Sequence, residues 1–210
     1  MKHLIDELEQ KRVLSKEDFI TLMEHRNEEL SEYLFEHARN IRHKNYGNEI
    51  YIRGLIEFTN YCKNDCLYCG IRKSNLNADR YRLSSDQILS ACENGYELGF
   101  RTFVLQGGED YHYSDSDFCN LVERINSTYE DCAITLSIGE HSYDSYLSYY
   151  QAGADRYLLR HETANNEHYK KLHPESLSLE NRKRCLQDLK RIGYQVGSGF
   201  MVGSPYQTFD

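Results

Sequence analysis

Three cysteines crowd into one short segment, Asn60-Tyr61-Cys62-Lys63-Asn64-Asp65-Cys66-Leu67-Tyr68-Cys69-Gly70. The spacing is C-x3-C-x2-C, with an aromatic residue, Tyr68, before the third cysteine. Three thiolates in a tight loop can hold three corners of an iron–sulfur cubane. No fourth cysteine sits nearby in the sequence, so one iron would stay open to an external ligand, as an open zinc position does in hydrolases. The competing readings are a structural zinc site or three incidental cysteines. Zinc takes four ligands, commonly from paired C-x2-C units, and His112, His141 or His161 would have to supply the fourth.

Three further segments carry chemistry at the ends of candidate strands. Gln106-Gly107-Gly108-Glu109-Asp110 pairs two glycines, which lets the backbone approach a ligand closely and offer carbonyls to a cationic amine. As a plain tight turn it would need no ligand. Arg160-His161-Glu162-Thr163 places an arginine and a carboxylate together. They could face a ligand or simply pair with each other on the surface. Arg182 is a second candidate for bidentate pairing with a carboxylate ligand. Gly199-Phe200-Met201-Val202-Gly203 follows on the last candidate strand.

The elements that must position these segments show in the periodicity. Residues 1 to about 45 read as helical, with Leu4, Ile5 and Leu8 on one stripe, Leu30, Leu34, Ala38 and Ile41 on another, and Ser15 as an N-cap where a helix restarts. After Gly47, apolar runs alternate with helical ones. The runs predict strands over Ile50–Phe58, Thr102–Gln106, Ala133–Ser137, Arg156–Arg160 and Gln195–Met201. Ser84-Ser85-Asp86-Gln87 reads as a capping box opening a helix that runs to Leu98. Further helices are predicted over Asp117–Ser127, Ser142–Gln151 and Leu179–Ile192. Strand–helix alternation implies a parallel sheet, because parallel neighbours need crossovers. The expected division is a helical extension over residues 1–46 and a sheet domain over 47–210. Five strands fall short of a closed eight-stranded barrel, which takes roughly 250 residues. The expectation is a barrel truncated after about five strands, poorly stable alone or a gene fragment, since an open sheet leaves an exposed edge.

A net charge of −8 with interspersed signs argues against nucleic-acid binding, which needs a basic footprint. No apolar run reaches the ~20 residues that span a bilayer, and Met1 to Gln10 lacks a signal-peptide core. A cytoplasmic address follows, where thiols stay reduced, so crowded cysteines point to a metal site. Cys92, Cys119, Cys132 and Cys185 fall in candidate helices or a strand and read as small buried hydrophobes. Eighteen tyrosines and no tryptophan have no functional account at this level.

The cysteine loop resembles the signature of the radical S-adenosylmethionine (SAM) superfamily. The resemblance implies an α/β fold, a TIM-type (βα)8 barrel, with a [4Fe–4S] cluster on Cys62, Cys66 and Cys69 and SAM chelating the open iron. It implies reductive cleavage of SAM to a 5′-deoxyadenosyl radical, in anaerobic chemistry where the cofactor does the hard step and the protein orients it. Residues implied to contact SAM are Tyr68, Gln106, Gly107, Gly108, Glu109, Ser137, Arg160, Glu162, Arg182 and Met201. Of these, Glu162 would take the ribose hydroxyls, and Arg160 or Arg182 the SAM carboxylate. Met201 stands where the superfamily often has isoleucine, and Tyr206 where it often has glutamate.

Longer stretches are similar to the HydE family of [FeFe]-hydrogenase maturases, in the branch that includes biotin synthase: 51–58, 95–110, 153–164 and 193–208. That resemblance implies work on an organometallic iron precursor of the hydrogenase H-cluster. It also implies partnership with other maturases and an electron donor such as ferredoxin or flavodoxin. Arg53 would point into the substrate cavity or else pair with Glu57 at the barrel base. Biotin synthase-like and methylornithine synthase-like enzymes, or a non-catalytic iron–sulfur or zinc fragment, are the alternatives.

Overall fold

A computed structural model describes residues 1–209. The chain forms two compact units, Met1–Tyr51 and Ile52–Thr208. The first holds three helices, α1 (Lys2–Lys11), α2 (Lys16–Glu24) and α3 (Glu28–Tyr46). Ser15 caps α2 by accepting from the Asp18 N–H, as its position predicted. Tyr33 on α3 donates to Asp6 on α1 at 2.6 Å. The predicted stripe on α3 is buried at Leu30 alone, and Leu34 and Ile41 are exposed. Helical periodicity marks a face but does not supply something to cover it.

The second unit alternates β1 (Gly54–Thr59), α4 (Ser85–Glu97), β2 (Thr102–Gly107), α5 (Asp115–Thr128), β3 (Ala133–Ser137), α6 (Tyr143–Gln151), β4 (Arg156–Leu158), α7 (Asn166–Leu172), α8 (Leu179–Ile192) and β5 (Gln195–Gly197). All neighbouring strands pair in parallel, in the order β1-β2-β3-β4-β5, which is the order of consecutive strands in a (βα) barrel. Serines cap α4, α5, α6 and α8, the first two with complete capping boxes. The Ser114–Asp117 box starts α5 two residues before the sequence reading placed it.

Alternation along each strand splits the sheet into two faces. Ile56, Phe58, Phe103, Leu105, Ile134, Leu136 and Tyr157 turn to the helices and join Ile88, Val122, Ile125, Tyr146 and Leu189 in one core. Leu55, Val104, Thr135, Arg156 and Gln195 stand in register across the other face. This second row is apolar at Leu55 and Val104 and polar from Thr135 on, with Arg156 donating to the side chains of Thr102 and Gln195.

Three strands are shorter than predicted. Pairing of β1 begins at Gly54, opposite Phe103, and Ile50 to Ile52 before it stay exposed. β4 stops at Leu158 and β5 at Gly197. Beyond them His161 and Glu162 N–H both bond the Gly199 carbonyl and Met201 N–H bonds the Glu162 carbonyl, an irregular junction in which Glu162 adopts φ +63° rather than extended backbone.

The tyrosine excess has a structural account. Tyr146, Tyr149, Tyr157 and Tyr169 are among the largest fully buried side chains. The hydroxyls of Tyr146 and Tyr157 both donate to the Gly139 carbonyl, at 3.2 and 2.8 Å. Tyr194 donates to the Tyr146 carbonyl at 2.8 Å, and Tyr149 to Asp115. Tyr146 and Tyr157 thus fill core volume and fix the loop at Gly139, Tyr149 and Tyr194 tie to helices α5 and α6, and the Tyr169 hydroxyl is buried without a hydrogen-bond partner. Cys92, Cys132 and Cys185 are buried free thiols, and Cys119 is half-buried.

Candidate active site

The cysteine loop leaves the C-terminal end of β1 and is tied down by its own backbone. Lys63 N–H donates to the Glu109 carbonyl, Leu67 N–H to the Leu172 carbonyl and Lys73 N–H to the Asn64 carbonyl, each at 2.9 Å. One side chain threads these turns together: the Arg80 guanidinium donates to the carbonyls of Asn60, Ile71, Arg72 and Asn75. A second clasp sits at the strand ends. Asp110 takes a two-pronged contact from Arg82 at 2.6 and 2.9 Å, and also accepts from the Thr59 hydroxyl and the His112 N–H. Burial alone would raise the Asp110 pKa, but these donors outweigh it and hold it below the ordinary carboxylate value.

Gly108 shows how close the β2 loop comes. A Cβ there would lie 2.1 Å from the Tyr61 carbonyl oxygen and 2.7 Å from Cys62 Cβ, so no other residue fits. Gly107 is tight against Thr59 in the same way. The Glu109 carboxylate pairs with Lys63 at 3.1 Å, and Gly139 at φ +88° leaves room for its stem.

Cys62, Cys66 and Cys69 line a single cavity of about 290 Å³. With them stand Tyr68, Gln106, Gly107, Gly108 and Glu109, and from the next strands Ser137, Arg160, Glu162 and Arg182. Burial pushes the Cys62 thiol up, against the opposing pull of the Asn64 and Glu109 backbone. Burial likewise raises Cys66 to about 11. Glu162 contributes a buried carboxylate oxygen with no hydrogen-bond partner in the protein. Its burial raises its pKa against the pull of Arg160 and Arg182.

Arg182 is 9% exposed and is held by Glu140 at 2.6 Å, with Asn181 bracing the same carboxylate. Desolvation works against its charge, but the Glu140 carboxylate prevails and raises its pKa. Its Nη1 donates to the Arg160 carbonyl at 3.2 Å.

Two expected site residues lie apart from this cavity. Arg53 precedes β1, at the opposite end of that strand from the cysteine loop, and is exposed. Glu57, its alternative partner, instead accepts from Gln106 at 3.1 Å. Met201 is half-buried outside the lining, and its N–H donates to the Glu162 carbonyl, so it fixes Glu162 through the backbone. Sequence reading missed Arg80, Arg82 and Glu140. Their only signal is charge in a loop: Arg82 and Glu140 gain meaning from partners 28 and 41 positions away, and Arg80 from turns of the cysteine loop that no periodicity marks.

The donor set fits a cubane. Among the described residues, no three His, Cys, Asp or Glu side chains are grouped to share one metal ion. A cubane instead spreads its thiolates over three separate irons. His112, His141 and His161 do not line the cavity, so none of the three supplies a fourth zinc ligand there. Cys62, Cys66 and Cys69 would hold the cluster, and the unpartnered Glu162 oxygen marks where a polar ligand would dock.

The Radical SAM superfamily profile matches residues 56–210. The chain is 46% identical over 180 residues to the [FeFe] hydrogenase maturase subunit HydE of Thermotoga maritima, covering 86% of this chain and 51% of that protein. It is 32% identical over 192 residues to 3-methylornithine synthase of Methanosarcina acetivorans, covering 90% of this chain and 54% of that protein. The crystal structure of methylornithine synthase (PylB) superposes with a TM-score of 0.86 at 30% identity, over 95% of this chain and 59% of that one. The chain thus spans about half the length of the curated relatives it matches. No helix among the described residues is long and apolar enough to cross a membrane. With profile, relatives and site in agreement, the chain belongs to the radical SAM superfamily, whose enzymes work with a [4Fe–4S] cluster and S-adenosylmethionine.

Proposed function

We propose that this chain binds a [4Fe–4S] cluster through Cys62, Cys66 and Cys69, binds SAM beside it, and serves [FeFe]-hydrogenase H-cluster assembly in the cytoplasm. Together the cluster and SAM supply a 5′-deoxyadenosyl radical by one-electron reductive cleavage. The protein's part is to hold and orient. Gly107 and Gly108 bring bare backbone to the cavity, Arg182 offers a fixed cation to the SAM carboxylate, and Glu162 offers a free acceptor to the ribose hydroxyls. The observation that carries the reading is the convergence of the three cysteines and the unpartnered Glu162 carboxylate on one cavity at strand C-termini.

The identity to HydE supports an organometallic iron precursor as substrate and other maturases as partners. In the loop over the cysteines Lys63 is paired with Glu109 and Arg82 with Asp110, which leaves Arg72, Lys73 and Arg80 against Asp65 and Asp79, in a chain of net charge −8. That local excess suits an acidic electron donor such as ferredoxin or flavodoxin.

The test is anaerobic reconstitution of the chain with iron and sulfide. A [4Fe–4S] absorbance, an electron paramagnetic resonance (EPR) signal that changes on adding SAM, and 5′-deoxyadenosine release with dithionite are expected. A cluster indifferent to SAM overturns the proposal. The resemblance to 3-methylornithine synthase gives a second reading. Turnover of that enzyme's substrate, and none of an iron precursor, would select it.

A further inference from the structure

Arg182 lines the cavity from the first turn of α8, and two of its three guanidinium nitrogens are already engaged by the protein. Nη1 donates to the Arg160 carbonyl at 3.2 Å, and Nε stands 2.6 Å from Glu140 Oε1. Glu140 lies on the loop between β3 and α6, so the pair joins two elements, and both side chains are buried. The contact at Nε is an ion pair and not an aligned hydrogen bond, since neither Nε nor Oε1 has a hydrogen-bond partner. Charge, rather than a directed donor, therefore holds the guanidinium at this point. Asn181 fixes the other half of the carboxylate by donating to Oε2 at 2.5 Å, and Arg184 Nε in turn donates to the Asn181 side-chain oxygen at 3.0 Å. Glu140 itself does not line the cavity. It acts on a ligand there through Arg182.

Its charge has two opposed effects on an anionic ligand group. A carboxylate beside the guanidinium repels a second carboxylate. Yet a guanidinium taken out of water is costly without a counter-charge, and once released it spreads over rotamers that point elsewhere. The second effect is the larger, because the shared cation offsets the repulsion between the two carboxylates, whereas nothing offsets an unpaired buried charge.

We propose that Glu140 is a positioning residue that fixes the Arg182 guanidinium for the carboxylate of SAM, so that SAM binding depends on a charge outside the cavity. This rests on the reading of Arg182 as the ligand of that carboxylate.

The test is equilibrium dialysis of SAM and of decarboxylated SAM against the reconstituted chain. Glu140→Gln keeps the shape of the side chain and an acceptor for Asn181 but removes the charge. Its Kd for SAM is expected to rise about tenfold, the loss of one charge-assisted contact, with wild-type cluster absorbance. Decarboxylated SAM lacks the group that Arg182 would hold, and its Kd is expected to be the same as in the wild type. In an Arg182→Met background, Glu140→Gln is expected to change the SAM Kd no further.

A SAM Kd that is unmoved or lowered in Glu140→Gln overturns the inference. An equal rise for decarboxylated SAM also overturns it, since that would mean general damage to the cavity. Should Glu140→Gln take up no cluster, the double variant still decides, because it leaves neither charge buried alone. SAM binding equal to that of Arg182→Met supports the inference, and weaker binding overturns it, since Glu140 would then act by another route. An Arg182→Met chain that binds SAM as the wild type does overturns the reading of Arg182 and this inference with it. One that binds SAM weakly, while Glu140→Gln binds it normally, overturns this inference alone.

Discussion

The guanidinium of Arg80 donates to four backbone carbonyls spread from Asn60 to Asn75, a stretch that contains Cys62, Cys66 and Cys69. A lysine cannot reproduce that fork, because an ammonium is a point charge with three rotating donors. Hydrogen bonds to charged groups are worth about 1.5–3 kcal/mol each, and Arg80→Lys, with three donors for four carbonyls, loses at least one. Cluster iron per chain after reconstitution should fall severalfold, and proteolysis within residues 60–80 should rise. Glu162 is a different case, because its free oxygen faces the cavity and carries no structural bond. Glu162→Gln should leave cluster absorbance intact and weaken SAM about 10- to 100-fold, the loss of one charge-assisted bond, as read by titration of the EPR signal. The cysteines and glycines of this site were legible in sequence because type and spacing within a few residues already specify the chemistry. Arg82 and Glu140 were not, because each acquires meaning only from a partner brought in by the fold: Asp110 lies 28 positions from Arg82, and Asn181 lies 41 from Glu140.

At the scale of elements, Asp110 joins the end of β2 to the end of β1 through Thr59 and to the return of the cysteine loop through Arg82. Its side chain is 5% exposed, so Asp110→Asn leaves Arg82 without its counter-charge. A cost of about 1–3 kcal/mol is expected at neutral pH. The pH dependence has a definite sign. The folded pKa of Asp110 lies below its ordinary value, so its contribution is complete above the unfolded pKa and disappears as pH falls through the folded one. Urea unfolding of wild type and Asp110→Asn should differ at pH 7 and converge toward pH 3. Constant separation across that range would show that the clasp is not ionic. The strand order was readable because alternating apolar and helical runs leave few topologies. Strand ends were not, because they depend on where a partner strand pairs, as at Gly54 opposite Phe103, and on irregular junctions such as the one at Glu162. Helix α7 escaped notice at seven residues, too short for periodicity, although Asn165 caps it.

For the whole molecule, the helix-facing side of the sheet is sealed and the other side is not. Ile56 and Phe58 of β1 are buried beneath the helices, while Leu55, between them and Gly54 in the same strand, is 55% exposed. Among the described residues β1 has β2 as its one strand neighbour, while on its other side Leu83 N–H and the Tyr81 hydroxyl bond the Phe58 and Glu57 carbonyls and Thr59 bridges Arg82, so the outer edge is open over Gly54–Ile56. β5 is also an edge, but its three residues end in glycine. Open edges beside exposed apolar side chains are the ones that recruit another chain. The chain should therefore self-associate through β1, with a sedimentation or light-scattering mass that rises with concentration. Leu55→Lys places a charge on that edge and should return the mass toward the monomer. The site should not notice, because Leu55 is absent from the cavity lining and its side chain stands on the sheet face two residues below Glu57. If Leu55→Lys instead abolishes the cluster, the open face and the cysteine loop are coupled, and the site needs that face covered in order to assemble.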